Sequence, residues 1–250
     1  MKTSVTKTIQ LILPVLPILS LKAQSPIINK AEDFTIGKVL IFQEATDDIV
    51  NITAKDNSLT WDFSKIKVLS SKTNTQSIVS PETTPYYDLF PNANFVEKNS
   101  DGSYVYVLKN ENENHLVGFV STKGNEITIK YEDPMLFIKR PIQYGDSISD
   151  EFSTEYSVRG MDFKGKGIVT IKADGYGKLL LPNKKYDNVL RIVIKQVQYD
   201  TLLQYSTVTK TETINYLWFD NKHTSALLKI TETKSDFYRN KTVEFLLSEN

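Results

Sequence analysis

Few side chains in this sequence could do covalent or metal chemistry. It has two histidines, His115 and His223, and no cysteine. A histidine-centred zinc site draws two or three histidines from one helix or hairpin, whereas these two lie far apart, beside Asn114 and Lys222. A serine–histidine–acid triad assembles in space, so spacing does not exclude one. No Gly-x-Ser-x-Gly turn is present to expose a nucleophile. Without cysteine there is no disulfide, thiolate catalysis or thiolate-ligated metal.

Carboxylates are plentiful, and two of them about 5–9 Å apart suffice for glycoside hydrolysis. The candidates are Glu132 with Asp133, and Asp146 with Asp150. Neighbouring residues on a strand point to opposite faces, which disfavours the first pair. Asp47, Asp48 and Asp56 are oxygen donors of the kind calcium takes, but the full Asp-x-Asp-x-Asp-Gly pattern is missing. Trp61 and Trp218 lie in alternating contexts and are expected in the core. Asp62 and Asp220, close behind them, are expected to cap turns. No catalytic residue, metal or cofactor is assigned.

The elements that must position these groups are strands. Period-2 alternation places Ile127, Ile129 and Tyr131 on one face, Ile214, Tyr216 and Trp218 on another, and Val243, Phe245 and Leu247 on a third. β-branched and aromatic residues dominate such runs, as a half-buried pleated surface favours. Turn chemistry separates them at Asp101-Gly102, Gly124-Asn125, Gly145-Asp146, Asp174-Gly175 and Pro182-Asn183,. About a dozen strands joined by short connections predict antiparallel neighbours. The expected architecture is a single all-β domain over residues 24–250. It is an antiparallel meander forming a strongly bent open or half barrel, with a two-sheet sandwich as the alternative.

Two stretches stand out. Between Thr170 and Ile192, two glycines flank Tyr176. A phosphate-gripping loop would need a helix behind it, and strand formers follow instead. A hairpin turning at Asp174-Gly175 and again at Pro182-Asn183 is predicted. Beyond it, Leu190, Ile192 and Ile194 share a face with Gln196, Gln198 and Asp200, as in a long strand that crosses the edge of the core. The other stretch, residues 71–95, is rich in Ser, Thr and Asn with Pro81, Pro85 and Pro91, and reads as an irregular surface connection,. Its Tyr86, Tyr87 and Phe90 form a candidate ligand-binding platform. They can equally tack the loop onto the sheet, and buried aromatics are the commoner case.

Lys2 and Lys7 precede an apolar run from Thr8 to Leu21. The run is shorter than the roughly 20 residues of a membrane span and is broken by Pro14 and Pro17. With Leu21 and Ala23 placed for a signal peptidase, a secretory signal over 1–23, cleaved between Ala23 and Gln24, is predicted. Its removal leaves 27 basic and 30 acidic residues, a formal charge of −3, so no basic surplus exists for nucleic acid. Gln24 cannot carry the lipid of a lipoprotein, and no transmembrane segment is expected in the mature chain.

Five stretches in a fixed order carry a resemblance: LTWDFSKIK (59–67), FPNANF (90–95), YEDPMLFIKRPIQYGDSISDEF (131–152), ADGYGKLLLPNKKYDNVLRI (173–192) and YLWFDNKHTSALLKI (216–230). Their order resembles an uncharacterised β-rich module of exported Bacteroidetes proteins, often found upstream of a type IX secretion sorting domain. The resemblance implies export and a β architecture, and implies no reaction. No sorting domain follows Asn250, so a periplasmic location is expected beside a cell-surface or extracellular one. Asp-Ser/Thr-apolar triplets resemble the O-glycosylation signal of such proteins, which marks Ser147 and Thr201. The Asn-x-Thr triplets at Asn51 and Asn240 carry little weight in a bacterial protein.

Three functions are compatible with these features. The first is a non-enzymatic exported protein that binds an apolar or amphipathic small molecule, or an envelope protein, on a concave sheet face. The second is a surface adhesion module. The third is a carboxylate-dependent hydrolase. A concave apolar site of roughly 300 Å³ or more would favour the first.

Overall fold

The computed structural model describes residues 25–46, 52, 56–57, 59–124 and 126–250. The predicted signal peptide with Ala23 and Gln24, and Asp47, Asp48 and Asn51, lie outside the described residues. The strands are β1 (Ile27–Ile28), β2 (Val39–Ala45), β3 (Leu59–Asp62), β4 (Val68–Val79), β5 (Phe95–Asn99), β6 (Tyr104–Lys109), β7 (Glu113–Ser121) and β8 (Ile127–Lys139). They continue as β9 (Ile142–Gln143), β10 (Ser147–Val158), β11 (Met161–Leu181), β12 (Lys184–Leu202), β13 (Thr207–Phe219), β14 (Leu228–Ser235) and β15 (Arg239–Glu249).

Twelve of these strands form an antiparallel meander that closes on itself. Each pairs with the next barrel strand in the chain, and the last, β15, pairs with the first, β2, from Val243↔Ala45 to Glu249↔Leu40. The open or half barrel expected from sequence is therefore a closed one, and the two-sheet sandwich does not form. An up-and-down meander with an even number of strands brings its last strand antiparallel to its first. Closure then removes both bare edges.

Long strands make the wall bend. β11 spans 21 residues and β12 spans 19. The Asp174-Gly175 pair is not the predicted hairpin turn: β11 runs straight through it with register shifts between Ala173 and Gly175 and between Gly177 and Leu179. An extra residue on one strand increases local twist without reversing the chain. The reversal comes only at Pro182-Asn183, with Asn183 at φ 60°. No helix follows Gly177. This residue has φ 157°, and a Cβ there would lie 2.0 Å from the Leu59 carbonyl oxygen, because β3 pairs in parallel along β11 at this point. Residues 71–79, expected in an irregular connection, belong to β4. Ser, Thr and Asn there sit on a strand whose two neighbours supply the pairing that their local propensity does not.

Inner and outer faces are told apart by contacts between strands that are not neighbours. The Lys229 ammonium of β14 lies 4.3 Å from the centre of the Phe42 ring on β2. One half of the interior is apolar. Phe152, Val169, Ile171, Leu190, Ile192, Ile194, Leu217 and Phe219 pack there with Ile28 and Ala31 of the N-terminal segment. That segment lies across one barrel end, held by Arg140 Nη1 to the Ala31 carbonyl (3.0 Å), Asn114 Nδ2 to the Glu32 carbonyl (2.8 Å) and Lys109 Nζ to the Phe34 carbonyl (2.7 Å).

Further along β12 the same inner face turns polar. Gln196 donates to Gln198 at 2.9 Å, Gln198 to Asp200 at 2.7 Å, and Gln198 also reaches Thr154 at 3.3 Å. The strand does not leave the core, as the sequence suggested. The barrel interior itself changes from apolar to hydrogen-bonded. Gly165 and Gly167 make room: a Cβ would sit 2.2 Å from Thr154 Oγ1 at the first and 2.3 Å from the Phe152 ring at the second.

Outside, two layers cover the wall. Trp61 and Phe63 pack over β11–β15 with Leu179, Val189, Trp218 and Phe245. The connection 80–94, with 3₁₀ turns at Pro81–Thr83 and Tyr87–Leu89, lies over β5–β7 through Phe90, Val96, Tyr106 and Val117.

Candidate functional site

The outer layer around Trp61 covers only part of the outer face of β11 and β12. Beyond its edge the wall is bare, and a groove of about 750 Å³ runs across β10, β11 and β12. Register builds its lining. Glu151 faces Ile168, which faces Val197; Ser153 faces Lys166, which faces Tyr199; Thr170 faces Lys195. Ile168 is 52% exposed and Tyr199 49% exposed. Large apolar side chains left this open in a surface groove mark a place that something else can cover.

The polar groups around this floor are not all committed. Lys195 Nζ reaches Glu212 at 3.1 Å, away from the centre. Among the described residues Lys166, Glu151 and Asp133 are in no ion pair. The groove thus offers an apolar floor with one ammonium and two carboxylates at its sides. Such a surface recognises an amphipathic molecule by shape and charge, and supplies no activated nucleophile. The signal for it was present in the sequence. Val197 and Tyr199 alternate with Gln196, Gln198 and Asp200, an apolar outer face opposite a polar inner one. Only the closed barrel shows which face is outer.

The aromatic trio in the connection 80–94 divides. Phe90 is buried, stacked on Tyr106 with ring centres 4.3 Å apart. Tyr86 packs edge-on against Tyr104 at 5.8 Å, and its hydroxyl lies 3.3 Å from Glu126. Both tack the connection to the wall, the commoner of the two readings. Tyr87 alone of the three is exposed. Ser147 is exposed at the start of β10, and Thr201 lies part-buried on the outer face of β12.

The sequence-level candidates for chemistry are placed as structural groups. Asp150 accepts from the Leu136 amide and Asp146 from the Gln143 amide, both at 2.9 Å. Asp62 accepts from Ser64, and Asp220 from the Lys222 and His223 amides and the His223 ring (2.9 Å). His223 lines a cleft of about 940 Å³ with Tyr186, but its only side-chain hydrogen bond among the described residues is to that turn aspartate. His115 pairs with Glu113 at 3.2 Å. Trp61 and Trp218 meet edge-on at 5.8 Å in the core, as expected. Among the described residues no group of three or more His, Cys, Asp or Glu could hold a metal ion.

Sequence reasoning missed a cluster of ionisable groups inside the barrel. Glu32 is 2% exposed, and its Oε1 has no hydrogen-bond partner. Burial pushes its carboxyl above the usual range, against the pull of the Lys229 charge. Glu97, hydrogen-bonded by Gln76 Nε2, is pushed up to about 8 by burial and by the Glu32 charge, with Lys229 opposing. A carboxylate in the N-terminal segment and another on β5 give no local signal of meeting in one interior.

No family model, curated protein or solved structure matches the chain.

Proposed function

We propose that the protein is an exported, non-enzymatic binding protein that holds an amphipathic ligand in the outer groove of β10–β12. The observation that carries this reading is the pair of half-exposed apolar residues, Ile168 and Tyr199, in a groove of the outer wall beside Lys166 and Glu151. The volume of about 750 Å³ falls within the range of small-molecule sites,. Export, to the periplasm or the cell surface, rests on the leader at residues 1–23, and kinship with the Bacteroidetes module on the ordered stretches given above.

Native mass spectrometry of protein purified from its own envelope tests the proposal. A co-purifying small amphiphile is expected, and Ile168→Arg should abolish its retention without changing the melting temperature. A clean apo mass, together with failure of a fluorescent fatty acid to bind, would remove the proposal.

A further inference from the structure

We infer that the barrel end opposite the N-terminal segment docks on an anionic lipid surface through three hairpin tips. Large exposed apolar residues gather there: Met161 (36%) in the β10–β11 tip, Leu203 (46%) and Tyr205 (74%) with Val208 (56%) in the β12–β13 tip, and Phe237 (82%) with Tyr238 (54%) in the β14–β15 tip. These hairpins are consecutive around the barrel, so their tips share one rim. They are also tied together. The Leu203 amide donates to the Asp162 carbonyl at 2.9 Å, and the Lys210 amide to Asp236 Oδ2 at 3.2 Å.

The shape and charge of the rim select the partner. The apolar groups are spread over three separate turns, which suits insertion among lipid head groups better than a packed protein interface. Tyr and Phe with basic neighbours are the composition of interfacial anchors. Lys234 and Arg239 beside the tips are in no ion pair among the described residues, and neither is Lys210, whose ammonium lies 5.9 Å from the Tyr199 ring centre. The acids of the same turns, Asp162 and Asp236, already accept hydrogen bonds from Ser157 and from the Lys210 amide. Cations left without a carboxylate complement anionic head groups.

Contact is confined to the tips. The outer wall carries ion pairs along its strands, Lys164–Glu155 (2.6 Å), Lys195–Glu212 (3.1 Å) and Lys241–Glu232 (3.2 Å). A lipid-spanning wall presents an apolar band there instead. Among the described residues no helix is long and apolar enough to cross a membrane. The geometry is that of a body resting on a surface by its rim. The inference is independent of the groove, which lies on the side wall.

Sedimentation with vesicles tests it, using the full mature chain. Binding to phosphatidylglycerol–phosphatidylcholine vesicles should exceed binding to pure phosphatidylcholine by about tenfold or more, and should fall as salt rises. The triple variant Leu203→Ser, Tyr205→Ser, Phe237→Ser should lose at least about tenfold in binding to the anionic vesicles. Lys234→Glu with Arg239→Glu should lose the preference for anionic lipid. These sites are exposed, and an unchanged melting temperature confirms that each variant is folded. Equal binding by wild type and the triple variant, or no binding by wild type, overturns the inference. So does concentration-dependent self-association that the same triple variant abolishes, because a second copy would then be what covers the rim.

Discussion

The guanidinium of Arg191 meets the carboxylate of Asp174 through two hydrogen bonds, Nε to Oδ1 at 2.8 Å and Nη2 to Oδ2 at 3.1 Å. Arg191 is fully buried, and its guanidinium carbon lies 5.4 Å from the Trp61 ring centre and 5.8 Å from those of Trp218 and Tyr216. A further bond to the Ile52 carbonyl ties the pair to the outer layer. Asp174 is the residue set off by the β11 register shift. The bulge therefore aims a carboxylate at the one arginine beneath the layer.

Removing either partner strands a buried charge. Asp174→Asn or Arg191→Met should each destabilise the fold by about 3–5 kcal/mol, the range for breaking a buried pair. Replacing both with apolar residues of similar volume should cost clearly less than the two single changes added. Urea unfolding of the four proteins in the cycle measures this coupling.

Gly177 should not tolerate a side chain. Its φ of 157° and the Leu59 carbonyl oxygen, 2.0 Å from where a methyl group would sit, leave no low-energy adjustment that keeps β3 paired. Gly177→Ala should cost about 1–3 kcal/mol and speed proteolysis between β2 and β4. Gly145→Ala, which meets nothing within 4 Å, bears only the backbone penalty,. Limited proteolysis and thermal melts of the two variants distinguish the cases.

Stability should fall as pH rises across the neutral range because of Glu97. Its folded-state pKa of about 8 stands above its ordinary 4.5. The folded chain therefore keeps a proton that the unfolded chain has released between those values. That contribution is fully present below about pH 4.5 and is lost as pH climbs through about 8,. Glu97→Gln should flatten this slope, raising the melting temperature at pH 8 relative to wild type and changing it little at pH 5. Melts over that pH range are the measurement.

The connection 80–94 should depend on Phe90 for its position. Phe90→Ala removes a ring that stacks on Tyr106 and covers Gly118, and large aromatic truncations in a core cost about 3–5 kcal/mol. Tyr87→Ala, at an exposed site, should be near neutral. A Tyr87 variant that lost an envelope partner while keeping its melting temperature would revive the adhesion reading for this loop.

Much was legible along the chain because it rests on neighbours. Alternation in 127–131 and 214–218 marked strands, since the pleat alone decides which face a side chain takes. Gly102, Gly124 and Gly145 marked turns because they adopt positive φ there. Trp61 and Trp218 as core, and Asp62 and Asp220 as turn residues, followed from type and context. Asp174-Gly175 misled because a turn and a bulge ask for the same residues, and local chemistry does not say whether the chain reverses.

What tertiary structure alone decided is which surfaces are inside. The pairing of β15 with β2 joins residues some two hundred positions apart, and no window of sequence contains it. Closure turns one face of every strand into interior, so burial raises the carboxyls of Glu32 and Glu97 above their ordinary range, with the Lys229 charge opposing both. It also leaves Ile168, Val197 and Tyr199 on the outer wall, where they line a groove. The polypeptide by itself specified strands and most of its turns through short-range sterics and periodicity. The groove, the buried charges and the exposed rim exist only because the first and last strands of the meander meet.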